Sequence, residues 1–169
     1  EAAVTAALDF DGPMYIRLGR APVPTLNDRP DYRFEIGKGY VLAGGTDATL
    51  VATGYMVHLA LEARDILASE GISARVVNIH TIKPLDTALI TACAEETGAV
   101  VTAEEHSIIG GLGSAVAECL ADTCPTPLER VGVRDTFGKS GTVPALLEKF
   151  GLTAPEIAAA ARRAIARKK

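Results

Sequence analysis

Residues 48–79 read ATLVATGYMVHLALEARDILASEGISARVVNI and decide the fold. Ala48–Thr53 is a continuous apolar run, which is typical of a strand covered on both faces. Tyr55–Glu70 is predicted to be a helix that ends at Gly71, because glycine is the usual residue after a helix C-terminus. Ala74–Ile79 is a second buried strand. This strand–helix–strand order predicts a parallel pair in an α/β sheet.

The same alternation continues along the rest of the chain. Tyr40–Ala43 is a short strand, and the four residues that join it to Ala48–Thr53 are too few for a parallel crossover, so we expect these two strands to pair antiparallel. Further strands are predicted at Ala99–Ala103 and Leu128–Val133, and further helices at Asp86–Thr97, Ser114–Ala121, Val143–Phe150 and Ala154–Arg167. The predicted fold is therefore α/β: a three-layer sandwich with a five-stranded, mostly parallel sheet and one antiparallel edge strand.

The first 33 residues have a different character. Glu1–Leu8 is alanine-rich and could end a helix, and Met14–Leu18 is predicted to be a short strand. Residues 21–33 contain three prolines and few apolar side chains, as expected of an extended linker. We therefore expect residues 1–20 to be the remnant of one domain and residues 34–169 to form a second domain.

Composition excludes several classes of protein. The chain has 169 residues, a net charge of −4 and no basic surface excess of the kind that nucleic-acid binding needs. No apolar run reaches the length of a membrane span. The three cysteines show no metal or disulfide spacing, so we expect a reducing, cytoplasmic compartment. One basic run complements the C-terminal dipole of the last predicted helix: Arg162, Arg163, Arg167, Lys168 and Lys169.

The candidate binding residues lie where predicted strands end. The loop containing Gly110, Gly111 and Gly113 precedes a helix, and it serves either close packing or anion binding. His80 and His106 lie at or just beyond the ends of two predicted strands, where ligands of such sheets collect. The alternative for both histidines is a hydrogen-bonded or interface role. No metal-ligand spacing and no nucleophile motif is present, so no catalytic residue is assigned.

Two arginines lie in or just after the predicted strand at Met14–Leu18. Arg17 lies within it, and Arg20 comes directly after Gly19 at its C-terminal end. A guanidinium in that place could hold a phosphate through two parallel hydrogen bonds. A surface arginine without a ligand is the alternative.

Three blocks of the sequence resemble the C-terminal portion of transketolase-like enzymes. They are GPMYIRLGRAP, ATLVATGYMVHLALEARDILASEGISARVVNIHTIKPLD and VVTAEEHSIIGGLGSAVAE. The resemblance is strongest to transketolases whose N-terminal and C-terminal halves are separate polypeptides. Deoxyxylulose-phosphate synthase and the β subunits of 2-oxo-acid dehydrogenases have the same layout and are alternatives. A stand-alone nucleotide- or anion-binding α/β module is a further alternative of another class.

The resemblance implies an enzyme that transfers two-carbon ketol units between sugar phosphates, as in the pentose phosphate pathway, with thiamine diphosphate and Mg²⁺ in the full enzyme. It implies that residues 1–20 end the pyrimidine-binding domain and that Arg20 binds the substrate phosphate. It further implies that the fragment holds no cofactor, is inactive alone, and contacts an N-terminal subunit or missing upstream domains and a homodimer partner. His80, His106 and the Gly110–Gly113 loop would then be interface residues rather than catalytic ones.

Overall fold

The computed structural model describes residues 2–30 and 32–168. Glu1, Asp31 and Lys169, which belong to the predicted first helix, linker and basic run, lie outside the described residues. The strands are β1 (Tyr40–Ala43), β2 (Ala48–Ala52), β3 (Ala74–Asn78), β4 (Val100–Ser107) and β5 (Leu128–Val133). The helices are α1 (Ala2–Leu8), α2 (Met56–Ser69), α3 (Thr87–Thr97), α4 (Leu112–Asp122), α5 (Val143–Lys149) and α6 (Ala154–Ile165).

The five strands form one sheet in the order β1-β3-β2-β4-β5. The β2–β3, β2–β4 and β4–β5 pairs are parallel, and β1 pairs antiparallel with β3 at one edge. Apolar side chains of α2 and α6 pack on one face of the sheet, and those of α3 and α4 pack on the other. The predicted α/β sandwich with one antiparallel edge strand is thus confirmed.

The predicted partner of β1 was wrong. β1 pairs with β3 rather than with β2, which lies one strand further in. Four residues can extend over roughly 13 Å, whereas two strand spacings require only about 10 Å. The connection therefore crosses the start of β3, where the Thr46 and Asp47 amides donate to the Ser73 carbonyl at 2.9 and 2.8 Å. A Cβ on Gly45 would collide with the Ala74 backbone, so this crossing requires glycine.

The predicted strand at Met14–Leu18 was also wrong. These residues form no strand, and the sheet of the described residues consists of β1 to β5 only. Their side chains are largely exposed, including Tyr15 at 86% and Leu18 at 79%. Residues 2–23 therefore lie outside the hydrophobic core that the sheet and its helices form.

Two helices begin at a side chain that accepts a hydrogen bond from the first turn. The Asp86 carboxylate accepts from the Leu89 amide at 3.1 Å and also from the Gly39 amide at 3.0 Å, which ties α3 to the segment before β1. Thr153 Oγ1 accepts from the Glu156 amide at 3.4 Å at the start of α6. Side-chain acceptors at these positions satisfy amides that the helix itself leaves unpaired.

β4 extends four residues beyond the predicted end at Ala103. The prediction stopped there because the apolar run ends and Glu104 begins a polar stretch. In the structure Glu104 has no exposed surface, and the ladder continues until Ser107 pairs with Val133. A buried carboxylate inside a strand requires hydrogen-bond donors, and these come from the helix that follows.

Candidate functional site at the carboxyl ends of the parallel strands

An open cleft of about 680 Å³ lies at the carboxyl edge of the sheet. Its floor is formed by residues that follow or end three neighbouring strands: Gly54 and Tyr55 after β2, Asn78 and His80 at β3, and Glu105 on β4. Its other wall is the N-terminal segment 17–27, which passes across this edge, together with Val143 and Leu147 of α5.

The topology explains why a cleft forms here. The connection from β2 leads through α2 to β3 on one side, whereas the connection from β3 leads through α3 to β4 on the other side of β2. Strand order thus reverses between β2 and β4. In open α/β sheets ligands bind outside the carboxyl ends of the strands at such a reversal. The cleft is therefore the first place to expect a ligand.

The N-terminal segment contributes two arginines with different partners. Arg17 contacts the His106 imidazole through its guanidinium, and it forms an ion pair with Glu105 at 3.6 Å. Arg20 also lines the cleft but has no ion pair or hydrogen bond to any other residue that the structure describes. Glu105 therefore balances the charge of Arg17, and the charge of Arg20 is left facing the cleft.

His80 lines the cleft and packs against aromatic rings. Its ring lies 4.5 Å from that of Phe34 and 6.3 Å from that of Tyr32, and Nδ1 is 3.3 Å from Thr81 Oγ1. Burial lowers the pKa of His80 below its ordinary value of 6.5, and burial raises the pKa of the Tyr32 phenol. His80 is thus a neutral imidazole at pH 7, able both to donate and to accept a hydrogen bond.

The glycine loop before α4 is occupied by the chain's own carboxylate. Glu104 Oε2 accepts from the Leu112 amide and Oε1 from the Gly113 amide, both at 2.8 Å. The Gly110 amide donates to Ser114 Oγ at 2.9 Å. A Cβ on Gly111 would collide with the Glu104 carboxylate. These glycines and the helix dipole of α4 therefore serve an internal anion.

The predicted residues fall into three places. Arg20 and His80 line the same cleft. His106 lies on β4, outside the cleft lining, and contacts the guanidinium of Arg17, which does line the cleft. The loop of Gly110, Gly111 and Gly113 does not line the cleft.

Sequence reasoning missed Asn78. Its side chain is in the cleft lining although the residue is only 7% exposed. It ends the apolar run of β3 and looks like an ordinary strand terminus. Its position just before a strand-end histidine was the available signal.

Comparison with known proteins identifies the family. The family model described as the transketolase C-terminal domain matches residues 37–157. The 6-deoxy-6-sulfo-D-fructose transketolase subunit SqwH of Clostridium sp. (strain MSTE9) is 53% identical over 167 residues, which are 99% of this chain and 52% of that protein. The chain belongs to the transketolase family.

This transketolase-family chain is also similar to a solved structure and to a synthase. A solved structure described as a split gene transketolase, inactive beta4 tetramer, superposes with a TM-score of 0.95 at 54% identity and covers 99% of this chain and 55% of the other. A 1-deoxy-D-xylulose-5-phosphate synthase of Heliobacterium modesticaldum (strain ATCC 51547 / Ice1) is 43% identical over 92% of this chain and 24% of its own length. The chain spans about half the length of this SqwH subunit and of other curated relatives that it matches.

Among residues 2–30 and 32–168, no group of three or more His, Cys, Asp or Glu side chains could hold a metal ion. Within the same residues, no helix has the length and apolar character needed to cross a bilayer.

Proposed function

We propose that this chain is the C-terminal part of a transketolase-type enzyme that transfers two-carbon ketol units between sugar phosphates. Its membership of the transketolase family supports the proposal. In this role the chain assembles with the cofactor-binding part of the enzyme and with a second copy of itself. It also binds the anionic end of the substrate.

The observation that carries the proposal is the charge of Arg20 in the cleft, which has no partner among residues 2–30 and 32–168. Arg20 faces a cavity large enough for a sugar phosphate, whereas the neighbouring Arg17 is balanced by Glu105 at 3.6 Å. A planar guanidinium matches two phosphate oxygens at once. Binding energy from this remote phosphate helps to orient the ketose at the reacting carbon.

The exposed N-terminal segment supports an assembly role. Residues 2–23 expose large apolar side chains along a short stretch: Val4, Leu8, Phe10, Met14, Tyr15, Ile16, Leu18 and Val23. Such a concentration of exposed apolar groups marks an interaction site in a folded protein. We assign this surface to the pyrimidine-binding domain, whose last helix and strand these residues would supply.

The described residues do not fit thiamine diphosphate by themselves. A diphosphate held through Mg²⁺ requires oxygen ligands arranged around the ion, and the described residues provide no such group. We therefore place cofactor binding in the other part of the enzyme. Thiamine diphosphate supplies the carbanion-stabilising chemistry when bound there.

Reconstitution tests the proposal. The full-length form of this chain is combined with the candidate N-terminal subunit, thiamine diphosphate and Mg²⁺, and ketol transfer from D-fructose 6-phosphate to an aldose phosphate is measured. We expect activity from the mixture and none from residues 1–169 alone. Activity of this chain alone, or none from a mixture that forms a stable complex, would contradict the proposal.

Deoxyxylulose-phosphate synthesis is the second candidate, because the 1-deoxy-D-xylulose-5-phosphate synthase of Heliobacterium modesticaldum is 43% identical to this chain. The two reactions differ in their donor. A synthase consumes pyruvate and releases CO₂, whereas a transketolase uses a ketose and releases none. The reconstituted enzyme is therefore supplied with pyruvate and D-glyceraldehyde 3-phosphate. Release of CO₂ would indicate the synthase reaction, and no release would favour the transketolase reaction.

A further inference from the structure

Residues 17–29, called the strap below, cross the carboxyl edge of the sheet and are held by a polar contact at each end. At one end the Arg17 guanidinium donates to Nε2 of His106 on β4. At the other end Arg29 donates to the Leu42 carbonyl of β1 at 2.9 Å. Because β3 and β2 lie between β1 and β4, the strap spans most of the width of the sheet.

Little else ties the strap to the sheet. Within the described part of the chain, residues 18–28 form no hydrogen bond or ion pair with the α/β unit. Leu26 is partly buried against the core, whereas Leu18 is 79% exposed. The position of the strap over β4 therefore depends on the contacts of Arg17.

The Arg17 contact requires a neutral His106. A guanidinium has N–H donors and no acceptor, so Nε2 of His106 must accept through its lone pair. Both ring nitrogens of a protonated imidazole carry hydrogen, and neither can accept. Protonation would also bring two cations into contact, and Glu105, which pairs with Arg17 at 3.6 Å, supplies one negative charge for both. Acid therefore weakens this anchor of the strap.

The other charged groups at this end of the sheet do not compensate for a proton on His106. On the strap, on β4 and on or directly after β5 these groups are Arg17, Arg20, Glu104, Glu105, Arg130 and Arg134. Glu104 accepts from the amides that begin α4, and Arg130 donates to the Ile108 carbonyl at 3.0 Å. The first turn of α4 carries no acidic side chain. Glu105 thus remains the carboxylate that faces the strap, among several cations.

We infer that the strap is a pH-sensitive closure of the cleft, which neutral His106 holds on the sheet edge through Arg17 and which protonation of His106 releases. The released strap leaves His106 free to bind a proton, so the anchor is lost as the pH falls through the range in which histidines change charge, about pH 8 to 5. Because the strap forms one wall of the cleft, its release opens the cleft. Opening and closing need no substrate, cofactor or turnover.

The rate at which a protease of broad specificity cuts within residues 18–28 measures release of the strap. The full-length form of this chain and its variants are digested at about pH 7.5 and about pH 5.5, on either side of the histidine range. Rates are compared only at equal pH, so the pH dependence of the protease cancels. Arg17→Ala should be cut about 5-fold faster than the wild type at the higher pH, which is the scale of one hydrogen bond. At the lower pH the two proteins should be cut equally fast.

His106→Gln separates the proton from the contact, because a side-chain amide accepts from Arg17 and does not titrate. This variant should match the wild type at the higher pH and be cut about 5-fold more slowly at the lower pH. His58→Gln is the matched control. The His58 ring contacts Tyr55 and has no contact with the strap among the described residues, so His58→Gln should match the wild type at both pH values.

Three results would overturn the inference. Equal cleavage of the wild type and His106→Gln at the lower pH would show that His106 does not control the strap. Equal cleavage of the wild type and Arg17→Ala at the higher pH would show that Arg17 does not hold it. Cleavage within residues 134–142, measured in the same digests, should be the same in every variant, and a parallel change there would show general loosening instead of release of the strap.

Discussion

Glu104 is the residue on which the local structure around β4 and α4 depends most. Its carboxylate is fully buried and accepts from the Leu112 and Gly113 amides through separate oxygens. A glutamine there would turn its NH₂ group toward one of these N–H donors and leave that amide unpaired. Glu104→Gln should therefore lower the free energy of unfolding by about 2–3 kcal/mol, as measured by urea denaturation.

The neighbouring Glu105 provides the control for this prediction. Its side chain is 24% exposed and paired with Arg17 at the surface. Such a pair contributes about 0–1 kcal/mol, so Glu105→Gln should change stability little. Equal effects of the two substitutions would mean that Glu104 does not stabilise α4 in the way described.

His80 predicts a pH dependence of stability. Burial holds its pKa below 6.5 in the folded chain, so the unfolded chain binds the proton more readily. The contribution of neutral His80 is complete above pH 6.5 and is lost as the pH falls through that value toward the folded pKa. His80→Gln should therefore flatten the dependence of the thermal midpoint on pH as the pH falls below about 6.5. A profile that keeps the wild-type slope in this window would show that another group titrates.

The position at a strand end nominated His80, and the family resemblance nominated Arg20; both residues line one cleft. Glu104 and Asn78 could not be found in that way. Glu104 looks like the solvated start of a loop until its donors eight and nine residues later are brought back to it. The place of Asn78 in the cleft lining depends on which segments the fold brings to this edge of the sheet, and no local sequence pattern encodes that.

At the scale of elements, periodicity predicted the strands and helices of residues 34–169 well, because each buries a continuous apolar face. It failed where pairing depends on another chain segment. The partner of β1 was misassigned because a short glycine connection looks the same whether it turns back or crosses a strand. The segment at Met14–Leu18 has strand-like residues but no described partner.

The contrast between the N-terminal segment and the α/β unit predicts the order of proteolysis. Residues 34–168 contain the complete sheet and both helix layers, whereas α1 has no buried residue. A protease of broad specificity should cut first within residues 21–30 and leave a stable product that contains the whole sheet.

The exposed loop at residues 134–142 is the internal comparison, because its side chains are equally accessible. It is anchored at both ends by β5 and α5. First cleavage in this loop, with the 21–30 segment protected, would contradict the predicted boundary between a domain remnant and a folded domain.

At the scale of the whole molecule, two separate parts of the chain line one cleft. The sheet edge supplies neutral polar groups, and the N-terminal segment supplies the cation. The resemblance in the sequence implied a phosphate-binding role for Arg20. Only the folded chain shows that Arg17 is already paired and that Arg20 is not paired within the described residues.

Substrate selectivity of Arg20→Ala in the reconstituted enzyme tests this account most directly. We expect a loss in kcat/KM for D-fructose 6-phosphate equivalent to about 2–3 kcal/mol, the scale of a hydrogen bond to a charged group. Arg20→Lys should restore part of it, since an ammonium lacks the planar fork. Arg134→Ala, which removes an exposed arginine outside the cleft, should have no such effect. The account predicts that Arg20→Ala keeps the wild-type rate on unphosphorylated D-fructose. An equal loss on both sugars would contradict it.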